Sequence, residues 1–140
     1  MASRTKPTAL VFTRQKVAAQ ARSEEAFANV KRGGYVLYEP DQSPQVLLIA
    51  TGSEVAITVA AAESLLAQGI ATRVVSMPCV EVLEMQDTEY RESVLPVSVR
   101  ARVVVEAGHP DIWFKYVGLD GAVVGIDRFG MSAPGAQVLE

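Results

Sequence analysis

Residues 45–69 read Gln45-Val-Leu-Leu-Ile-Ala-Thr-Gly-Ser-Glu-Val-Ala-Ile-Thr-Val-Ala-Ala-Ala-Glu-Ser-Leu-Leu-Ala-Gln-Gly69 and set the architecture. The run from Gln45 to Ala50 is continuously apolar after its first residue, the profile of a strand buried on both faces. Thr51-Gly-Ser53 breaks it, and a helix is expected from Ser53 to Gln68. Ser53 is a residue type that caps free N–H groups, and Glu54 suits the positive end of the helix dipole. Val55, Val59, Ala62 and Leu66 fall on one apolar stripe, and Gly69 sits where a left-handed C-terminal turn is favoured. A doubly buried strand running straight into an amphipathic helix is the opening unit of a parallel sheet.

The same alternation continues downstream. Thr72–Ser76 is a strand, followed by a short helix opening near Pro78 and a second helix from Asp87 or Thr88 to about Pro96. Arg102–Glu106 is a further strand, Pro110 opens a helix over Asp111–Val117 closed by Gly118, and Gly121–Gly125 is the last strand. Asp127–Pro134 reads as a loop, and Gly135–Glu140 as a helix just beginning. Upstream, Tyr35–Tyr38 is a strand joined to Gln45–Ala50 by a turn-rich link too short for a crossover, so that pair is expected to be antiparallel. Thr8–Thr13 reads as a short buried strand, and Gln15–Val30 as a connecting segment with some helix, punctuated by Gly33-Gly34. The expected fold is a three-layer α/β domain with a mostly parallel sheet of about five strands and one antiparallel edge strand. Such a sheet needs helices on both faces, so the chain reads as cut short before its last helix.

The 140 residues carry a formal charge of −3, with 49% hydrophobic and 21% charged residues, which excludes wholesale disorder and argues against a nucleic-acid binder. No stretch is long and apolar enough for a membrane span or a signal-peptide core. A single cysteine, Cys79, excludes an internal disulfide and fits a reducing, cytoplasmic compartment. The charge is uneven. Residues 1–32 hold seven basic and two acidic residues, a net of +5, and the remainder has a net of −8. A basic first segment fits either a solvated, partly helical arm or a surface facing an anion.

Thr51-Gly-Ser-Glu-Val55 is a strand-to-helix turn whose N–H groups make Gly52 and Ser53 a candidate anion site. It lacks the Gly-x-Gly-x-x-Gly and Gly-Lys-Ser/Thr signatures, and Glu54 puts a carboxylate where a phosphate would sit, so a tight turn with a helix cap is the better account. Gly118-Leu-Asp-Gly121 lacks the downstream asparagine a metal-binding Gly-Asp-Gly needs. Ser53, His109 and Asp111 form a triad only on paper, with no nucleophile elbow, and a histidine before Pro110 more often caps the next helix. Cys79 reads as a small packing residue. Glu106 ends a strand at the face where open α/β sheets bind ligands, or caps the nearby turn. Arg14, beside Gln15 at the end of the first strand, is placed for bidentate phosphate binding, although most exposed arginines form only surface pairs.

Several stretches together resemble successive signatures of transketolases. They are Ala9-Leu-Val-Phe-Thr-Arg-Gln15, Lys31-Arg-Gly-Gly-Tyr-Val36, Ile49-Ala-Thr-Gly-Ser-Glu-Val55, Arg73-Val-Val-Ser-Met-Pro78 and Tyr90-Arg-Glu-Ser-Val-Leu-Pro96. Val105-Glu-Ala-Gly108, Trp113-Phe-Lys-Tyr-Val-Gly118 and Phe129-Gly-Met-Ser-Ala-Pro134 continue the series in order, so the resemblance runs from about Thr8 to the last residue. It implies that residues 1–32 are the end of a preceding pyrimidine-binding domain and a linker, and that 33–140 are a C-terminal domain.

The resemblance further implies a homodimeric, three-domain parent that moves a two-carbon ketol unit between sugar phosphates. Thiamine diphosphate and Mg²⁺ would be bound by parts absent here, so the fragment itself would hold no cofactor or metal. It would have no catalytic residue and no activity alone, serving structure, assembly or regulation. In the family, the arginine of the strand-end Arg-Gln pair binds the substrate phosphate, a role that maps onto Arg14. Expected partners are the remaining parent domains and sugar phosphates, with no nucleic acid and no membrane. Alternatives are the C-terminal domain of another thiamine-diphosphate enzyme (a deoxyxylulose-phosphate synthase or 2-oxo acid dehydrogenase type) or a stand-alone anion- or nucleotide-binding α/β module. Tyr90–Pro96 and Trp113–Gly118 favour transketolase.

Overall fold

The computed structural model describes residues 7, 9–13, 16–130 and 132–134. Five strands form one sheet: β1 (Tyr35–Tyr38), β2 (Val46–Ala50), β3 (Thr72–Ser76), β4 (Arg102–Val105) and β5 (Ala122–Val124). Their spatial order is β1-β3-β2-β4-β5, with β1 antiparallel and every other neighbouring pair parallel. The short link after Tyr38 does reverse the chain, but β1 pairs with β3 rather than with β2. Because β2 is flanked by β3 and β4, its edges are already taken, and the returning chain lies along the free edge of β3. A bidentate ion pair holds the link there: Arg73 of β3 donates from Nε and Nη2 to both carboxylate oxygens of Glu39, at 2.6 and 2.8 Å.

Alternate residues of the central strands face opposite layers. Leu48 and Val74 pack with Ala62, Val59 and Leu65 of α2 (Glu54–Leu66), as does Val103. Ile49, Val75 and Val104 face the other way, onto Leu83, Tyr90, Val94, Trp113, Tyr116 and Val117. Those side chains come from α3 (Val80–Glu84), α4 (Thr88–Val94), a 3-10 turn at Asp111–Trp113 and α5 (Phe114–Val117). The register places Leu48 beside Val74 and Val103, and Ile49 beside Val75 and Val104, so each face carries its own apolar row. This is the expected three-layer arrangement.

Local chemistry explains most boundaries. Asp87 caps α4 by accepting the Tyr90 N–H at 2.7 Å, and Ser23 caps α1 (Glu24–Asn29) by accepting the Ala26 N–H at 3.1 Å. Gly33 ends the 3-10 turn that follows α1 with φ +88°, and a Cβ there would lie 2.4 Å from the Cys79 carbonyl oxygen. Only glycine meets both conditions. In α2 the buried stripe is Val55, Thr58 and Ala62, with Leu65 packed against the core and Leu66 exposed. Thr58 enters the interior because its hydroxyl donates 2.8 Å back to the Glu54 carbonyl, leaving its methyl to pack.

Three expectations change. Residues 9–13 form no strand, and Val11 and Phe12 are 94% and 82% exposed. An apolar strand needs a neighbour for its ladder, and the sheet's β1 edge is not used by this segment. The helix over Asp111–Val117 divides into the 3-10 turn and α5. Cys79 is half-buried at the start of α3, with Sγ 3.4 Å from Glu81 Oε2, rather than embedded in apolar packing. Gly135–Glu140, expected to begin a helix, lies outside the described residues. Among the described residues no helix is long and apolar enough to cross a membrane.

Candidate functional site at the carboxyl edge of the sheet

Because β2 sends the chain through α2 to β3 on one side while β4 lies on the other, connections diverge at the carboxyl end of β2. Open α/β sheets bind ligands in such a crevice. Two segments line it here: Thr51-Gly-Ser-Glu54 after β2, and Glu106-Ala-Gly-His109 after β4. Gly52 takes φ +58°, which turns the chain sharply into α2. Ser53 does not cap the helix with its side chain, as its type had suggested; its hydroxyl donates 2.7 Å to Glu54 Oε1. A carboxylate acceptor beside the hydroxyl outcompetes a role in which that oxygen accepts from backbone N–H.

Charge at this edge is acidic. The Glu106 carboxylate accepts the Gly108 N–H at 3.0 Å, so it caps its own turn. Burial pushes its carboxyl above the ordinary range; the Gly108 N–H opposes that, and the nearby Glu54 carboxylate adds to it. Gly52 also lines a groove of about 470 Å³ shared with Val17, Arg22, Phe27, Tyr35 and Pro78. Arg22 is committed within it: its Nε donates 2.8 Å to the Tyr35 hydroxyl and its Nη1 donates 3.0 Å to the Gln20 carbonyl. Gly52 and Ser53 thus come together at the expected turn, with two carboxylates nearby and the one cationic lining residue already bonded.

The other sequence candidates separate. His109 is exposed and its Nδ1 accepts the Asp111 N–H at 3.4 Å, the capping role, while Ser53 is bonded to Glu54. No hydrogen bond among the described residues links Ser53 to His109. Arg14 lies outside the described residues. Sequence reasoning missed how the basic segment is anchored: Arg22 and Arg32 lie 6.0 and 3.2 Å from the ring centres of Tyr35 and Tyr90. No local signal pointed Arg22 toward Tyr35, 13 residues further along, or Arg32 toward Tyr90.

A family model described as the transketolase-like TK C-terminal domain matches residues 33–140. Transketolase 1 of Escherichia coli (strain K12) is 55% identical over 134 residues, covering 96% of this chain and 20% of that protein. Transketolase 1 of Pasteurella multocida (strain Pm70) is 52% identical over 137 residues, with the same shares covered. Among solved structures, transketolase from Leishmania mexicana superimposes with a TM-score of 0.78 at 38% identity, over 89% of this chain and 18% of that one. Transketolase from Campylobacter jejuni gives 0.70 at 34% identity, over 88% and 18%. The chain spans about a fifth of the length of the curated relatives it matches. Sheet order, helix layers, the family match over residues 33–140 and an alignment that covers 96% of the chain converge: the chain belongs to the transketolase family, in the part that forms its C-terminal domain.

Proposed function

We propose that the chain serves as the C-terminal domain of a transketolase that transfers a two-carbon ketol unit from a ketose phosphate to an aldose phosphate. The observation that carries this is the 55% identity over 134 residues to a protein named transketolase. Residues 1–32 are assigned to the end of a preceding pyrimidine-binding domain and a linker, and 33–140 to the C-terminal domain. Thiamine diphosphate would act as electron sink in the assembled enzyme, with Mg²⁺. The described residues do not fit that group. Among the described residues no cluster of three or more His, Cys, Asp or Glu offers a metal site, and the candidate crevice at the carboxyl edge of the sheet presents Glu54 and Glu106, which oppose a diphosphate. The chain is proposed to be non-catalytic by itself and to pack against the remaining domains of a homodimeric, cytoplasmic enzyme.

Arg14 is the residue proposed to touch substrate, through the sugar phosphate. In an enzyme carrying this domain, a charge-assisted pair of this kind is worth about 1.5–3 kcal/mol, or roughly ten- to hundredfold in kcat/KM. Arg14→Ala is expected to lower kcat/KM by that factor for phosphorylated acceptors and to leave a non-phosphorylated aldehyde unchanged. Arg14→Lys recovers part of the loss, because a point charge lacks the guanidinium fork. Equal losses on both substrate types would assign Arg14 a structural role. Thiamine-dependent turnover by the isolated chain would refute the proposed division of labour.

A further inference from the structure

A second groove, of about 680 Å³, is lined by residues of α1, β1 and α4 together with Arg32 and Arg73. Its two arginines are in different states. Arg73 is fully engaged: Nε and Nη2 hold Glu39, and Nη1 donates to the Ser93 and Val94 carbonyls at 2.7 and 3.1 Å. Arg32 is not. Its guanidinium lies 3.2 Å from the centre of the Tyr90 ring, and its only hydrogen bond among the described residues runs from Nε to Gln86 Oε1, at 3.0 Å. The Tyr90 hydroxyl is itself tied to the Gly34 carbonyl at 2.8 Å, so the ring beneath the guanidinium is fixed. Stacking on one face and a bond at Nε orient the group while both Nη nitrogens stay open, the arrangement that grips a planar oxyanion in two places.

The rest of the groove narrows the ligand. Val36, Leu37 and Val94 supply apolar wall, and the Asn29 carboxamide has no partner among the described residues. The Arg73–Glu39 pair is neutral as a unit, so Arg32 is the one cation lining the groove with no carboxylate in ion-pair contact among the described residues, and Glu25 on the same wall carries a negative charge. One open fork matches one carboxylate, and Glu25 penalises a second negative charge such as a phosphate dianion would bring.

We infer that this groove is a binding site for a small organic monocarboxylate with an apolar body, held by the Arg32 guanidinium. It is separate from the carboxyl-edge crevice and does not depend on ketol transfer.

The test is a titration of the full chain with hexanoate, read by backbone amide NMR shifts at Val36, Leu37 and Val94, with inorganic phosphate as the parallel probe. The expected result is saturable hexanoate binding, weakened about tenfold or more in Arg32→Gln and tightened about two- to threefold in Glu25→Gln. Phosphate is expected to bind more weakly than hexanoate. Should Arg32→Gln fail to fold, Glu25→Lys on the exposed helix carries the test, with hexanoate binding tighter than in Glu25→Gln. Unsaturable shifts, phosphate binding as tightly as hexanoate, unchanged affinity in folded Arg32→Gln, or no gain in either Glu25 variant would overturn the inference.

Discussion

Replacing Arg102 should cost more stability than replacing any surface ion-pair residue, although Arg102 faces no carboxylate in hydrogen-bond contact. At the start of β4 its guanidinium donates to four carbonyls: Val99 at 2.8 Å, Pro96 at 2.8 Å, Tyr116 at 3.0 Å and Leu95 at 3.2 Å. The Leu95 and Pro96 oxygens follow directly on α4, the Val99 oxygen belongs to the turn before β4, and the Tyr116 oxygen lies in the last turn of α5, where a helix leaves carbonyls without intrahelical partners. One side chain therefore ties two helix ends to the sheet. Burial lowers its pKa from the ordinary value, with the Glu92 carboxylate partly offsetting this, and a guanidinium in a protein stays protonated. Four charge-assisted bonds at full value would sum to roughly 6–12 kcal/mol. Carbonyls at helix ends regain water when the side chain goes, and methionine keeps most of the aliphatic packing. About 3 kcal/mol is then expected for Arg102→Met, and about 2 kcal/mol for Arg102→Lys, which reaches one or two carbonyls without the fork. The chain has one tryptophan, Trp113, and it is buried, so its fluorescence reports urea unfolding directly. With a slope of about 2 kcal/mol per molar urea, Arg102→Met should lower the midpoint by about 1.5 M. A shift below about 0.3 M, or no difference between wild type and both variants, would refute the reasoning.

Two further outcomes follow from local geometry. Gly33→Ala puts a Cβ 2.4 Å from the Cys79 carbonyl oxygen at φ +88°, whereas Gly69→Ala at φ +81° meets nothing within 4 Å. Urea titration should show a loss of about 3 kcal/mol or more for the first and about 1 kcal/mol for the second; equal losses would mean that φ alone decides. Glu106 has a folded pKa raised above its ordinary value near 4.5, so its contribution is complete below the unfolded pKa and declines as pH rises through the folded one. Glu106→Gln, whose carboxamide oxygen still accepts the Gly108 N–H, should gain stability relative to wild type as pH rises from about 4 to 7. A relative gain that shrinks over that range, followed by thermal unfolding, contradicts the burial argument.

Elements whose signals are local were legible in the sequence. The buried run before Thr51, the Asp87 cap and Pro110 placed β2, α4 and the start of the last helical segment to within a residue or two. Pairing was less legible, because the neighbour of β1 depends on which edge β2 has left free, a property of the whole sheet. The strand expected over Thr8–Thr13 shows the limit of apolar patterning: a run of β-formers becomes a strand only beside a ladder. At the candidate site, Gly52 was readable from the turn, while the competition of Glu54 for the Ser53 hydroxyl needed side-chain geometry. The Arg32–Tyr90 stack joins residues 58 positions apart and left no sequence signature at either end.

The central claim, that this chain is a functional transketolase C-terminal domain, is tested most directly by a domain exchange. The 134 matching residues of Escherichia coli transketolase 1 are replaced by those of this chain, and ketol transfer between sugar phosphates is measured in the purified chimera. At 55% identity over 134 residues, the chimera should assemble and retain kcat/KM within about tenfold of the unmodified enzyme. A chimera that folds and binds thiamine diphosphate but transfers no ketol unit would contradict the claim.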